Sequence, residues 1–453
     1  MRARIPKEAL RGDARHRAAE VVARVEADGA FASAALTETL QRPPVLDARD
    51  RALATELAYG TLRTLPLLDD ALARLSRDGA ASIARLDPWA RAVLRVAAYQ
   101  VLALERIPPS AAVDAAVGAL RKGRSAGLAG FANAVLRKLV AQRPASLPAT
   151  QRVDLAVTSL PPTVRRRVAA LLGDDAVDSV FRAAFGAADE VTVRVNPRRT
   201  TPEALRERLL RERDGATVRP GRSPLALRVR DAGDLTFTKA WKEGHFDIQE
   251  DGAQCAALEA GVQPGMRVLD LCAGRGGKTA FFASQLAGSG HLDAVDVHPA
   301  KLETLRTALA RQGLDEGLTV RTFAVDLAVG DGPLASAAPA EGYDVVMVDA
   351  PCSGLGTLAR HPDLLLRLRS DADWTSLVAQ QTAIVARAQR WVRPGGVLVY
   401  AVCTLTRDEA DAPLAALPEG WTDTSTCTVL RPDEHGTDGF VVRRFRRANA
   451  PGR

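Results

Sequence analysis

Apolar positions recur every three to four residues from Asp13 to about Arg143, the spacing of amphipathic helices rather than of strands. Val21, Val22 and Val25 make one stripe, and Leu53 and Leu57 make a second that should end near Gly60. Pro88 suits a first helical turn, where its missing N–H would be unpaired anyway. Val93, Leu94, Val96, Val101 and Leu102 then supply that helix's buried side. Ser110 is expected to cap the next helix, which should close near Gly123, and Phe131, Val135 and Leu139 fall on one face of the following one. An all-helical bundle over residues 1–145 follows.

The stretch Arg143-Pro-Ala-Ser-Leu-Pro-Ala-Thr150 reads as a linker. Helical spacing returns around Pro162–Leu172 and Ala176–Phe185, and then the β-branched alternation from Glu190 to Pro197 reads as a strand. Thr201-Pro202-Glu203 opens a helix through Leu210, and strands are expected near 225–229 and 235–237. Residues 151–243 therefore read as linker helices and a small α+β module.

Beyond it the pattern changes. Short apolar runs each close on an acid: Asp270, Asp296, Asp326 and Asp349. Runs without alternation belong to a parallel sheet covered on both faces, and such sheets hold ligands at their carboxyl ends. Residues 244–453 therefore read as an α/β, Rossmann-like domain. The segment Gly244 to Gln254 precedes its first strand and should form the floor or entry of the cleft.

Composition adds bounds. The 453 residues are 47% hydrophobic and 25% charged, as in globular proteins. A net charge of +7 is compatible with a polyanionic partner. Of 61 basic residues only seven are lysine; arginine suits phosphate contacts, although a general richness in Ala and Arg accounts for the bias equally well. The five cysteines, at 255, 272, 352, 403 and 427, contain no C-x-x-C pair, which argues against a metal site and against a disulfide framework. No apolar leader or membrane-spanning run is visible, so a cytoplasmic setting without membrane partners is expected.

Two cysteines stand at strand ends. Tyr343-Asp-Val-Val-Met-Val-Asp349-Ala-Pro351 runs into Cys352, and Gly395-Gly-Val-Leu-Val-Tyr-Ala-Val runs into Cys403. The pair reads either as thiol chemistry in one cleft or as two buried structural cysteines. The turn Cys272-Ala273-Gly274-Arg275-Gly276-Gly277-Lys278-Thr279 admits several ligands. A phosphate loop would need glycine at 272, and a dinucleotide fingerprint would need glycine at 279. An S-adenosylmethionine site needs only close backbone approach, which glycine permits.

These motifs resemble those of the RNA (cytosine-5)-methyltransferases: Cys272 to Thr279, Asp349-Ala-Pro-Cys352-Ser-Gly-Leu-Gly, and Tyr400-Ala-Val-Cys403-Thr404. Ile107 to Val117 and Gly130 to Leu139 resemble helices of NusB-like RNA-binding domains. The whole chain is similar to the Sun/RsmB family acting on 16S rRNA. The resemblance implies a NusB-like bundle, a small RNA-binding module and a class I methyltransferase domain with an antiparallel last strand, and His435 to Val442 is similar to the family's last hairpin edge. It implies S-adenosylmethionine held by Cys272, Ala273, Gly274, Arg275, Gly276, Gly277 and Lys278 with Asp296, Asp326 and Asp349. It implies Cys403 as nucleophile on a cytosine of the 967 type, Cys352 assisting release, and Asp349 bonding the base.

Arg121, Lys122, Arg124, Arg137 and Lys138 read either as a face for RNA phosphates or as solvated surface, and Arg194, Arg198, Arg199, Arg206, Arg208, Arg211, Arg213, Arg219 and Arg222 either as a grip on RNA backbone or as composition bias. The expected partner is 16S rRNA or a small-subunit assembly intermediate, and the expected state is a monomer. Family residues differ at Glu250, at Gly274-Arg275, at Val402 and Thr404, and at Ala410. Two other readings stay open: a tRNA cytosine-5 methyltransferase, and an RNA-binding assembly factor without turnover.

Overall fold

The computed structural model describes residues 13–122, 126–367, 370–426 and 428–449. Its packing separates residues up to Arg166, with Leu358–Arg369, from Arg167–Thr357 with Ser370–Arg453.

The first unit is helical among its described residues. Its central helix, Pro88–Ala103, starts where expected, with the Asp87 carboxylate accepting from the Ala90 N–H. Buried alanines at 90, 92, 97, 98 and 103 alternate with Val93, Leu94, Val96 and Val101, so neighbouring helices approach closely. Val21, Val22, Val25, Leu57, Val135 and Leu139 are buried in the same core. Arg95, almost fully buried, is held by Asp69 at 2.7 Å and Glu26 at 2.8 Å, which offsets the cost of burying its charge.

Two helix ends differ from the sequence reading. The helix Ala48–Arg63 runs past Gly60. There glycine serves packing instead: a Cβ on it would lie 2.1 Å from the Tyr99 ring. The helix Pro109–Lys122 begins before Ser110, which therefore does not cap it. The expected end near Gly123, with Arg124, lies outside the described residues.

The second unit holds two sheets. Strands β1 (Val191–Val195), β2 (Thr217–Pro220), β3 (Ala226–Arg230) and β4 (Phe246–Ile248) form an antiparallel sheet in the order β2-β3-β1-β4. Its core is Val193, Val195, Leu205, Leu209, Leu227, Val229 and Phe246. The fourth strand comes from beyond residue 243, where the module was expected to end. Leu235–Phe237, expected as a strand, is a 3-10 turn, because the Asp234 carboxylate accepts from the Thr236 N–H and so competes with sheet pairing.

The larger sheet contains β5 (Arg267–Leu271), β6 (His291–Asp296), β7 (Thr319–Ala324), β8 (Tyr343–Asp349), β9 (Val392–Val402), β10 (Trp421–Asp423), β11 (Val429–Leu430) and β12 (Phe440–Arg447). Its order is β10-β12-β9-β8-β5-β6-β7, with β11 on β12. Strands β5 to β9 run parallel, and β12 returns antiparallel beside β9. From β5 the chain first proceeds outward to β6 and β7, then restarts on the other side at β8. That reversal opens a crevice beyond the carboxyl ends of β5 and β8, where ligands of open α/β sheets lie.

Candidate active site

The turn after β5 is built from left-handed residues. Cys272, Gly274 and Gly276 have φ of 64°, 59° and 88°. Gly276 packs so tightly that a Cβ would lie 2.5 Å from Leu305, whereas a Cβ on Gly274 would meet only the Cys272 carbonyl, at 4.0 Å. The turn thus presents bare backbone to open space, as a bound nucleoside requires. The helix Gly277–Leu286 begins directly behind it. Arg275 is exposed.

Asp296, at the end of β6, accepts from the Gly274 N–H at 3.0 Å and the His298 N–H at 2.8 Å, which fixes the turn against the neighbouring strand. Asp326 lies two residues past β7, exposed, and accepts from the Ala328 N–H. Asp270 is fully buried within β5: one carboxylate oxygen accepts from the Thr279 hydroxyl at 2.6 Å and the other has no partner. Burial pushes its carboxyl up to about 7, outweighing the Thr279 bond, and nearby Asp349 and Asp296 push the same way.

On the far side of the crevice β8 delivers Asp349. Its carboxylate meets Lys278 Nζ at 2.7 Å, and Lys278 also lies over the Phe440 ring, 5.4 Å from its centroid. Burial opposes the ammonium, yet the charge and hydrogen bond of Asp349 prevail, and Lys278 sits above the ordinary lysine range. The first turn of the helix Gly277–Leu286 is thereby tied to the end of β8.

Cys352 and Cys403 come together. Their Sγ atoms are 3.2 Å apart. Cys403 follows β9, the parallel neighbour of β8, so the meeting is a consequence of register. The loop after β8 is pinned by Gly356, whose N–H donates to the Cys403 carbonyl at 3.1 Å, while the Gly439 N–H donates to the Gly356 carbonyl at 2.9 Å. Side chains are excluded there, since a Cβ on Gly356 would lie 2.0 Å from the Gly439 oxygen. The hydrogen bond with Cys403, then burial, and the charges of Glu409 and Asp349 push the Cys352 thiol well above its usual value.

Gln249, just after β4, lies beside the start of the helix Gly277–Leu286: a Cβ on Gly277 would be 3.7 Å from its Nε2. It is buried, and neither amide atom has a partner among the described residues.

The arginines expected to grip RNA divide differently. Arg194 is buried inside β1, donating to Gln312 at 2.8 Å, so it is structural. Arg208 pairs with Glu212 and Glu243, and Arg219 with Glu190. Arg199 and Arg213 donate to the Glu243 and Asp234 carbonyls. These guanidiniums tie the small sheet together, which charge counting along the sequence does not reveal. In the helical unit Arg121, Arg137 and Lys138 are exposed; the side chains of Lys122 and Arg124 lie outside the described residues.

The sequence alone gives no role to Glu409 or Gln381, and names Thr404 only as the residue after Cys403, yet the three are hydrogen-bonded together beside the two cysteines. The available signal was Thr406-Arg-Asp-Glu409, a helix-start pattern; it points to local capping and not to a distant loop.

Comparison with known families matches residues 257–429 to the 16S rRNA methyltransferase RsmB/F model and residues 12–141 to the NusB family. A ribosomal RNA small subunit methyltransferase B from Xanthomonas campestris is 33% identical over 400 residues, covering 88% of this chain and 86% of that one. A probable ribosomal RNA small subunit methyltransferase B from Synechocystis is 28% identical over 441 residues, covering 92% and 96%. Among solved structures, PH0851 matches with a TM-score of 0.78 at 23% identity, covering 98% of this chain and 100% of that one, a likeness of fold.

Proposed function

We propose a complete reaction for this chain, which belongs to the ribosomal RNA small subunit methyltransferase B family and is an RNA methyltransferase: transfer of a methyl group from S-adenosylmethionine to carbon 5 of a cytosine in 16S rRNA, through a covalent cysteine–cytosine adduct. The observation that carries this reading is the pair of thiols, 3.2 Å apart, beside the buried Lys278–Asp349 pair.

S-adenosylmethionine, when bound, supplies an electrophilic methyl on a sulfonium. The bare turn Cys272–Lys278 would hold it, with Asp296 accepting from the ribose hydroxyls and Asp326 and Asp349 bordering the site. Carbon 5 of cytosine is a poor nucleophile. Addition of the Cys403 thiolate to carbon 6 gives the ring enamine character, so that carbon 5 can take the methyl. Cys403 gives up its proton to solvent before addition, and Cys352, 3.2 Å away, hydrogen-bonds the attacking sulfur. Asp349 hydrogen-bonds the ring's N3/N4 edge and stabilises the adduct. After transfer, the proton on carbon 5 passes to a solvent water as the C6–S bond breaks and Cys403 departs as thiolate; Cys352, beside the leaving sulfur, hydrogen-bonds the departing thiolate. The base reaches these groups only when flipped from its stack, and the exposed Arg121, Arg137 and Lys138 hold RNA phosphates.

RNA carrying 5-fluorocytidine tests the reading, because fluorine cannot leave as a proton does. The wild-type protein should form a complex that survives denaturing electrophoresis. Absence of that complex, with the RNA nonetheless methylated, would remove the covalent route.

A further inference from the structure

Glu409 is fully buried, and among the described residues no cationic side chain pairs with it. Four donors converge on its carboxylate. One oxygen accepts from the Ser353 N–H at 2.8 Å and Gln381 Nε2 at 3.0 Å. The other accepts from the Thr404 hydroxyl at 3.1 Å and the Thr406 hydroxyl at 2.8 Å. Ser353 follows Cys352 in the chain and Thr404 follows Cys403. Gln381 also donates to the Pro351 carbonyl at 2.9 Å, and the Ser353 and Thr404 hydroxyls meet at 2.7 Å. Tyr400, on β9, donates its hydroxyl to the Glu409 carbonyl at 2.8 Å, which fixes the residue's own backbone.

A buried carboxylate normally needs a cation or a full set of hydrogen bonds. Here three of the four donors come from the two loops that carry the thiols, about fifty residues apart in sequence, and the fourth, Gln381 on the helix Asp371–Ala388, is itself tied to the first loop through the Pro351 carbonyl. We propose that Glu409 is a positioning residue: its single carboxylate clamps the Cys352 loop to the Cys403 loop and so sets the reach between the two thiols. It touches neither substrate nor cofactor, and it acts only through the loops it joins. The same carboxylate charge also helps keep Cys352 protonated. This proposal rests on the thiol mechanism above for its catalytic meaning, whereas the clamp itself is a statement about geometry.

The test therefore reads geometry and catalysis separately. Phenylarsine oxide captures two thiols held within reach: two As–S bonds form, and the arsenic's oxygen leaves as water with both thiol protons. The wild-type protein should bind it tightly, and Cys352→Ala should not. Glu409→Ala should lose this capture while each thiol still reacts with a monofunctional alkylating agent. Its kcat should fall about 100-fold, the cost of misplacing reacting groups by about 1 Å, with the KM for S-adenosylmethionine unchanged. Glu409→Gln should recover most of both, because the threonine hydroxyls can turn to accept from the new amide. If Glu409→Ala fails to fold, Thr404→Val, which removes one arm, decides: weaker capture upholds the clamp, and wild-type capture overturns it. Wild-type capture by folded Glu409→Ala also overturns it, as does a Glu409→Gln protein as defective as Glu409→Ala. Lost capture in a protein whose wild type never makes 5-methylcytosine would uphold the clamp and sink the reaction.

Discussion

Lys278 and Asp349, from two different strand–turn units, meet at 2.7 Å on the floor of the crevice. Because Lys278 is almost fully buried, its charge depends on that partner. Asp349→Asn should destabilise the protein by about 1–3 kcal/mol, the usual cost of leaving a buried group's partner missing. Adding Lys278→Met should restore stability, while activity stays absent in both. Urea unfolding of the two single variants and the double variant measures the coupling; strict additivity would mean that the pair does not interact.

The two thiols should separate by phenotype. Cys403→Ala should abolish methyl transfer and leave S-adenosylmethionine binding intact by calorimetry. Cys352→Ala should accumulate a covalent RNA complex, seen as a slow band on a denaturing gel. Normal turnover of Cys352→Ala without such a band would make Cys352 structural.

Asp270 predicts a pH dependence of stability. Its carboxyl group is raised to about 7 in the folded chain from an ordinary 3.8. The folded state therefore holds this proton more tightly than the unfolded state does. No penalty exists below about pH 4; it grows as pH rises and is complete above about pH 7. Asp270→Asn keeps an acceptor for Thr279 and removes the charge. Relative to wild type it should be little changed at pH 4 and more stable at pH 8, by up to about 4 kcal/mol from the size of the shift. Equal urea midpoints for the two proteins at pH 8 would contradict the assignment.

Gly60 should tolerate no side chain. Its Cβ position is occupied by the Tyr99 ring, and Tyr99 is anchored by a 2.5 Å bond to Glu56. Gly60→Ala should cost about 1–3 kcal/mol of stability through overpacking, visible as a lower thermal midpoint. Gly79→Ala, where a side chain would meet open space but φ is 58° and ψ −137°, should cost about 1–3 kcal/mol through backbone strain alone.

Much of this was legible in sequence because it depends on local pattern. The apolar run Tyr343 to Asp349 marks β8, and the run from Gly395 lies inside β9, which spans Val392–Val402. Parallel register then brings Cys352 to Cys403. The left-handed turn could be read from Gly274 and Gly276. What stayed hidden depends on contacts distant in sequence. Glu409 looks like a helix-start acid until Ser353 and Gln381 are seen to reach it. Arg194 looks like one more surface arginine until the fold buries it against Gln312. Leu235–Phe237 has strand-like residues, but one carboxylate at Asp234 bends the chain. Gly60 looked like a helix end because glycine often is one, and only Tyr99 explains it.

The most direct test of the central claim is transfer of labelled methyl from S-adenosylmethionine to unmodified 16S rRNA, with nucleoside analysis of the product and tRNA in parallel. The account predicts label in 5-methylcytosine from 16S rRNA, and none with Cys403→Ala. Label in any other nucleoside, label only in tRNA, or no label from a protein that binds S-adenosylmethionine would contradict it.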